Sequence, residues 1–163
     1  MFEYRVTKYD PAQRDPDGAY RRDEWTSFSD IGKSFGGQML TAESYAQTEQ
    51  AYLTTVDNFC VEAPIHYLTI VGLENYGDYR TTLFELREGG IVAQSEIQEA
   101  VRCLLREQFW CRIEDGKIRF VHVGYDYYLY VGVPSPCSES IRIAHSRGLF
   151  VEKYESPYRL VSA

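Results

Sequence analysis

FWCRIEDGKIRFVHVGYDYYLYVGV, residues 109–133, holds three β-type runs in succession. Phe109–Ile113 and Ile118–Val123 flank Glu114-Asp115-Gly116-Lys117, and the Asp-Gly pair suits a tight type I′ hairpin, whose central positions must accept positive φ. After Gly124, the run Tyr125–Val133 is rich in the aromatic and β-branched residues that fit a pleated surface. Three consecutive antiparallel strands are therefore expected. In the third, Tyr125-Asp126-Tyr127-Tyr128-Leu129-Tyr130 puts tyrosine on both faces, so one face is not wholly apolar.

Upstream, residues 2–9 read as a first strand, ended by Asp10-Pro11 and followed by turn formers as far as Gly18. A short helical turn is predicted within 27–34. Thr41 suits the N-cap of a helix over about residues 42–60, where Tyr45, Tyr52, Val56 and Phe59 recur at helical spacing. Ile65–Val71 is an apolar strand candidate, and a weaker β-type segment near Leu83–Leu86 stops at Gly89-Gly90. Ser95-Glu96-Ile97-Gln98 has capping-box spacing for a helix to about Gln108.

Downstream, Ser135-Pro136 opens a helix over 136–147 with Gly148 at its end, and a last strand lies near Leu149–Tyr154. This order predicts an α+β fold: a mainly antiparallel sheet with a central three-strand meander, covered by about three helices. With 163 residues, 44% of them hydrophobic, residues 1–163 are expected to form a single globular domain.

Chemistry-bearing motifs are sparse. Cys60, Cys103, Cys111 and Cys137 form no Cys-x-x-Cys pair and read as small buried hydrophobes. His66, His122 and His145 have no ligand spacing, so no metal site and no cofactor are predicted. Gly36-Gly37 and Gly89-Gly90 lack the rest of a phosphate-binding signature, and no serine sits in a nucleophile elbow. No catalytic residue is assigned, and the chain reads as a non-enzyme. Without an apolar window of signal-peptide or membrane-span length, a cytoplasmic protein is expected.

Net charge is −7, and the acidity is uneven: residues 1–115 carry 20 acids and 11 bases, residues 116–163 carry 4 and 6. Such a field repels phosphate backbones and anionic lipids, which argues against nucleic-acid and membrane partners and favours a basic protein. Tyrosine dominates the aromatics, with 14 residues against eight phenylalanines and two tryptophans. Where acids and aromatics coincide in predicted loops, rings can anchor a partner while carboxylates steer it. The candidates are Asp23, Glu24, Trp25 and Asp30, then Tyr76, Asp78 and Tyr79, and on the tyrosine-rich strand Asp126 and Tyr128. Two structural alternatives accompany them: Trp25 plugs the core from its loop, and the tyrosine strand is simply half-buried. Stacking of nucleic-acid bases on that strand would need a basic surround.

Tyr4-Arg5-Val6-Thr7-Lys8-Tyr9-Asp10-Pro11 followed by Asp23-Glu24-Trp25-Thr26-Ser27-Phe28-Ser29-Asp30-Ile31-Gly32 resembles small bacterial immunity proteins of polymorphic-toxin systems, including contact-dependent growth inhibition. The resemblance covers the first 35 residues. It implies a cytoplasmic inhibitor that binds the C-terminal toxin domain of a large secreted protein, often a nuclease, and fixes neither architecture nor any contact residue. Two other readings stand beside it: a small hydrolase using carboxylates and tyrosine in a cleft, and a regulatory domain that binds a ligand or another protein.

Overall fold

Consecutive β-type runs parted by glycine turns are what a hairpin-connected sheet requires, and the computed structural model, which describes residues 1–159, builds that sheet. The elements are β1 (Phe2–Thr7), β2 (Ser34–Phe35), β3 (Gln38–Met39), α1 (Ala42–Glu62), β4 (Tyr67–Glu74), β5 (Ile91–Ala93), α2 (Gln94–Leu105), β6 (Trp110–Asp115), β7 (Arg119–Val123), β8 (Leu129–Val133), α3 (Ser138–Ser146) and β9 (Phe150–Lys153). Seven strands run in the order β5-β4-β6-β7-β8-β1-β9, each pair antiparallel, while β2 and β3 form a separate ribbon. The fold is thus α+β, with the meander β6-β7-β8 in the middle of an antiparallel sheet. Among the described residues no helix is long and apolar enough to cross a membrane.

Register carries one apolar row straight across the sheet, Ile70–Ile113–Val121–Val131–Tyr4, and all five are buried. The helices cover this face, with α1 packed against both α2 and α3. Thr41 caps α1 as its sequence predicts, its hydroxyl accepting the Ser44 N–H at 3.1 Å. The four cysteines are free and buried, as expected of small hydrophobes.

Several boundaries differ from the sequence reading, each for a local reason. Ser95 lies inside α2; Glu96 reaches back to the Ala93 N–H at 2.9 Å, so the box is set two residues earlier. α3 starts at Ser138, after the left-handed Cys137, because the Glu62 carboxylate at the end of α1 accepts the N–H groups of Glu139 and Ser140. Leu83–Leu86 is not a strand, and the edge strand is the three-residue β5. Asp115 pairs with Arg119, so the β6–β7 turn holds three residues with only Gly116 at positive φ. Tyr125–Tyr128 is a turn and not the start of a strand. His66 precedes β4 and is exposed, whereas His122 on β7 is wholly buried.

The face away from the helices is covered by the C-terminal segment 154–159. Tyr154 N–H donates to the Glu3 carbonyl, and Ser156 N–H to the Glu3 carboxylate. Ser156 Oγ accepts the Tyr158 N–H at 3.2 Å, which leaves its proton for His122 Nδ1 at 2.8 Å; Nε2–H then donates to Glu114 at 3.0 Å. The order of groups is that of a nucleophile, base and acid. Here both the N–H and the Oγ of the buried Ser156 are engaged within the fold, and the trio latches the segment to the sheet. Beside it the Phe120 ring stacks on His122 and fills the space over Gly132, where a Cβ would meet the ring at 2.2 Å.

Two consequences can be measured. Gly132→Ala is expected to lose about 1–3 kcal/mol in urea unfolding through overpacking, whereas Gly77→Ala, with open space around it, should stay within about 0.5 kcal/mol. Burial holds His122 below its ordinary value of 6.5 against the opposing pull of Glu114, in a surround that also includes Arg112 and Glu3. The unfolded chain therefore binds a proton that the native chain refuses, and stability falls as pH drops below 6.5. His122 bonding, against burial, depresses Glu114, whose contribution is present above the ordinary 4.5 and lost as pH falls further. The slope of Tm against pH in the upper window should flatten in His122→Gln.

Candidate partner-binding surface

At one end of the sheet three segments enclose a cleft of about 330 Å³: the chain after β4, the end of α2 with the start of β6, and the β7–β8 turn. Its walls include Glu74, Tyr76, Glu107, Trp110 and Tyr125. Each is positioned by a specific local device.

β4 bulges between Val71 and Glu74, with Gly72 at φ 68°. The Glu88 carboxylate accepts the Gly72 and Leu73 N–H groups at 2.9 and 2.8 Å. Beyond the bulge, both amide atoms of the Asn75 side chain bond to the Tyr79 backbone at 2.9 Å, pinching residues 75–79 into a loop. Tyr76 stands at its tip, 91% exposed. Trp110 opens β6 opposite Glu74, and its indole N–H donates to the Val123 carbonyl at 2.9 Å.

In the β7–β8 turn, Gly124 N–H donates to Tyr128 O at 2.8 Å around residues 125–127. The third turn residue of such a loop is left-handed and normally glycine; here it is Tyr127, at φ 63°. Tyr127 turns inward, edge-on to Trp25, Tyr45 and Tyr52. Tyr125 turns outward, 58% exposed, nearly parallel to Trp110 at 17° with centroids 6.3 Å apart.

α2 ends in a Schellman motif, with Gln108 N–H on Cys103 O and Glu107 N–H on Leu104 O. The left-handed position is Glu107, φ 59°. α3 ends in the same motif with Gly148, φ 81°, as its sequence predicts. A glutamate held where glycine fits freely costs about 1 kcal/mol or more. Of the four non-glycine residues at positive φ among the described residues, Glu107 lies in the cleft wall, Tyr127 and Asp78 in the loops bordering it; Cys137 is elsewhere. Such strain clusters where function fixes geometry.

A buried polar chain holds these elements together. The Tyr127 hydroxyl donates to Tyr45 at 2.9 Å, Tyr45 donates to Glu49 at 2.7 Å, and Arg106 clamps Glu49 with two bonds of 2.8 Å. Burial opposes ionisation of Glu49, but Arg106 and Tyr45 outweigh it and hold the carboxyl below its ordinary range. Tyr52 fixes the turn from beneath, donating to the Tyr127 carbonyl at 2.9 Å.

The residues singled out in the sequence meet different fates. Trp25 is only 7% exposed and is a core plug, not an anchor for a partner. Its indole packs on Tyr127 and Tyr45, because a ring that large stabilises most when surrounded. Glu24 pairs at 3.4 Å with Lys8, whose ammonium lies over the Trp25 ring and is pulled by burial down to about 8 against the opposing pull of Glu24. Asp23 is exposed and accepts the Gly36 N–H. Asp30 accepts the Thr26 N–H and pairs with Lys33, so its carboxylate is committed locally. Asp78 pairs with Arg80, and Tyr79 is half-buried against Phe109. Asp126 is exposed in the β7–β8 turn, and its carbonyl accepts the Tyr9 hydroxyl. Tyr128 packs between Tyr9 and Arg5, and Arg14 approaches the same ring.

Only Tyr76 of the chosen residues lines the cleft. Its companions Glu74, Glu107, Trp110 and Tyr125 were missed, since three stood in predicted regular elements and Glu74 in a loop beside them. Ser27 donates to Glu107 at 3.2 Å, joining the 23–32 segment to the rim at the end of α2. Among the described residues neither Glu74 nor Glu107 takes part in an ion pair. Burial, then Glu74, Tyr76 and Glu107, raise the Tyr125 hydroxyl above its ordinary value. Flat rings under a negative field bind cations.

Comparison with protein-family profiles, curated proteins and solved structures yields no match. The functional reading therefore rests on the site's chemistry and on the resemblance carried by residues 4–32.

Glu107→Gly should retain stability or gain up to about 1 kcal/mol in chemical denaturation, since it relieves the left-handed glutamate. Tyr127→Phe, which removes the donor to the Tyr45 oxygen while that hydroxyl keeps its bond to Glu49, should lose about 0.5–1.5 kcal/mol.

Proposed function

We propose that this chain is an immunity-type inhibitor that binds a basic toxin domain, such as a nuclease, through the cleft at the β4, α2 and β7–β8 end of the sheet. The observation that carries the reading is the pair Glu74 and Glu107, free of ion pairs among the described residues, beside exposed tyrosines, with Glu107 held in the left-handed region. Rings of this kind supply rigid contact area with little entropy to lose, and the carboxylates steer a cationic partner. The acidic first two-thirds of the chain extends that field, and the resemblance of residues 4–32 to immunity proteins points the same way. A partner so bound would have its substrate-binding surface or active site covered, in the cytoplasm where the inhibitor is made.

The test is growth of cells expressing the C-terminal domain of the large toxin that the immunity reading requires directly upstream, with and without this protein. Rescue with a co-purifying complex is expected, and association should slow as salt rises. The double substitution Glu74→Lys/Glu107→Lys should abolish rescue while Asp23→Lys leaves it intact. Toxicity that this protein does not relieve would overturn the reading.

A further inference from the structure

The cleft has a shape and charge that restrict what enters it. At about 330 Å³ it lies at the small end of ligand-binding pockets, room for one side chain rather than a peptide segment. Trp110 and Tyr125 present nearly parallel ring planes, and the Val123 carbonyl holds the indole in place. Glu74 comes from the end of β4 and Glu107 from the end of α2, so the carboxylates reach the cleft from two different walls. A compact ammonium has no use for flat walls, whereas a guanidinium is planar, stacks on aromatic faces and donates in-plane to more than one carboxylate. A nucleic-acid base would also stack, but its phosphates would meet the two rim carboxylates.

We propose that the cleft is a receptor for a single arginine side chain of the protein partner, the guanidinium lying on the Trp110–Tyr125 rings and bonding to Glu74 and Glu107. This rests on the reading of the cleft as the partner-binding surface. Tyr76, at the tip of a loop pinned by Asn75, closes over the arginine stem. Ser27 orients Glu107 through its 3.2 Å bond and acts as a positioning residue.

The experiment is an NMR titration of the folded protein with N-acetyl-arginine amide, following the Trp110 indole N–H, with the citrulline and lysine amides as comparisons. Citrulline keeps the planar shape and lacks the charge. A saturable shift with arginine is expected, about ten-fold weaker with citrulline and intermediate with lysine. Glu74→Gln and Glu107→Gln should each weaken arginine binding about two- to five-fold, the scale of an exposed ion pair. Tyr76→Ala and Tyr125→Ala alter exposed side chains and should weaken it without loss of fold, which the dispersion of the same spectra reports.

Equal binding of citrulline, no saturable shift, a shift centred elsewhere, or tighter binding of oligothymidylate than of arginine would each overturn the proposal. The two readings separate cleanly. If rescue is lost in Glu74→Lys/Glu107→Lys yet arginine amide does not bind, the surface stands and the arginine receptor falls. If arginine amide binds and that double variant still rescues, the receptor stands and the cleft is not the interface.

Discussion

The buried chain from Tyr127 through Tyr45 and Glu49 to Arg106 is the constraint on which the rest depends. A carboxylate removed from water is tolerable only when its lone pairs and charge are met, and here a bidentate guanidinium and a phenol meet them. The chain crosses three elements, since Glu49 and Tyr45 lie on α1, Arg106 ends α2 and Tyr127 belongs to the β7–β8 turn. Its two ends sit beside or upon the two left-handed residues that shape the cleft.

This arrangement explains why aromatic residues are so abundant. Four of them, Trp25, Tyr45, Tyr52 and Tyr127, form a cluster in which each ring fills volume and each tyrosine hydroxyl also has a partner. Leucine would fill the volume but leave the turn carbonyl unmet and take the phenol bond from Glu49. A second group, Trp110, Tyr125 and Tyr76, faces outward, so one residue type serves packing on one side of the turn and display on the other.

The meander and α1 were legible in the sequence because each has a pattern and a boundary signal: aromatic and β-branched runs parted by glycine, and helical spacing after Thr41. Elements that escaped had no such pattern. β5 has three residues, too few for alternation to register; α3 was legible, and only its start moved, because its first-turn acceptor comes from Glu62 in another helix. Tyr125–Tyr128 read as strand because tyrosine favours strands, and only burial of the Tyr127 ring makes a left-handed tyrosine affordable. The cleft was half visible: Tyr76 has the composition of a surface anchor, while Glu107 becomes notable only once its φ is known. Trp25 shows the converse, an acid-flanked ring whose position in the core no local pattern could reveal.

The two edges of the sheet are short, with three residues in β5 and four in β9. A protein whose edge strands are this brief offers few open backbone groups for another chain to extend. Under the proposed reading, recognition falls to side chains, which single codon changes rewrite, whereas a backbone ladder accepts almost any strand. A surface of that kind can drift into mutually exclusive pairings among close relatives while the sheet beneath it stays the same.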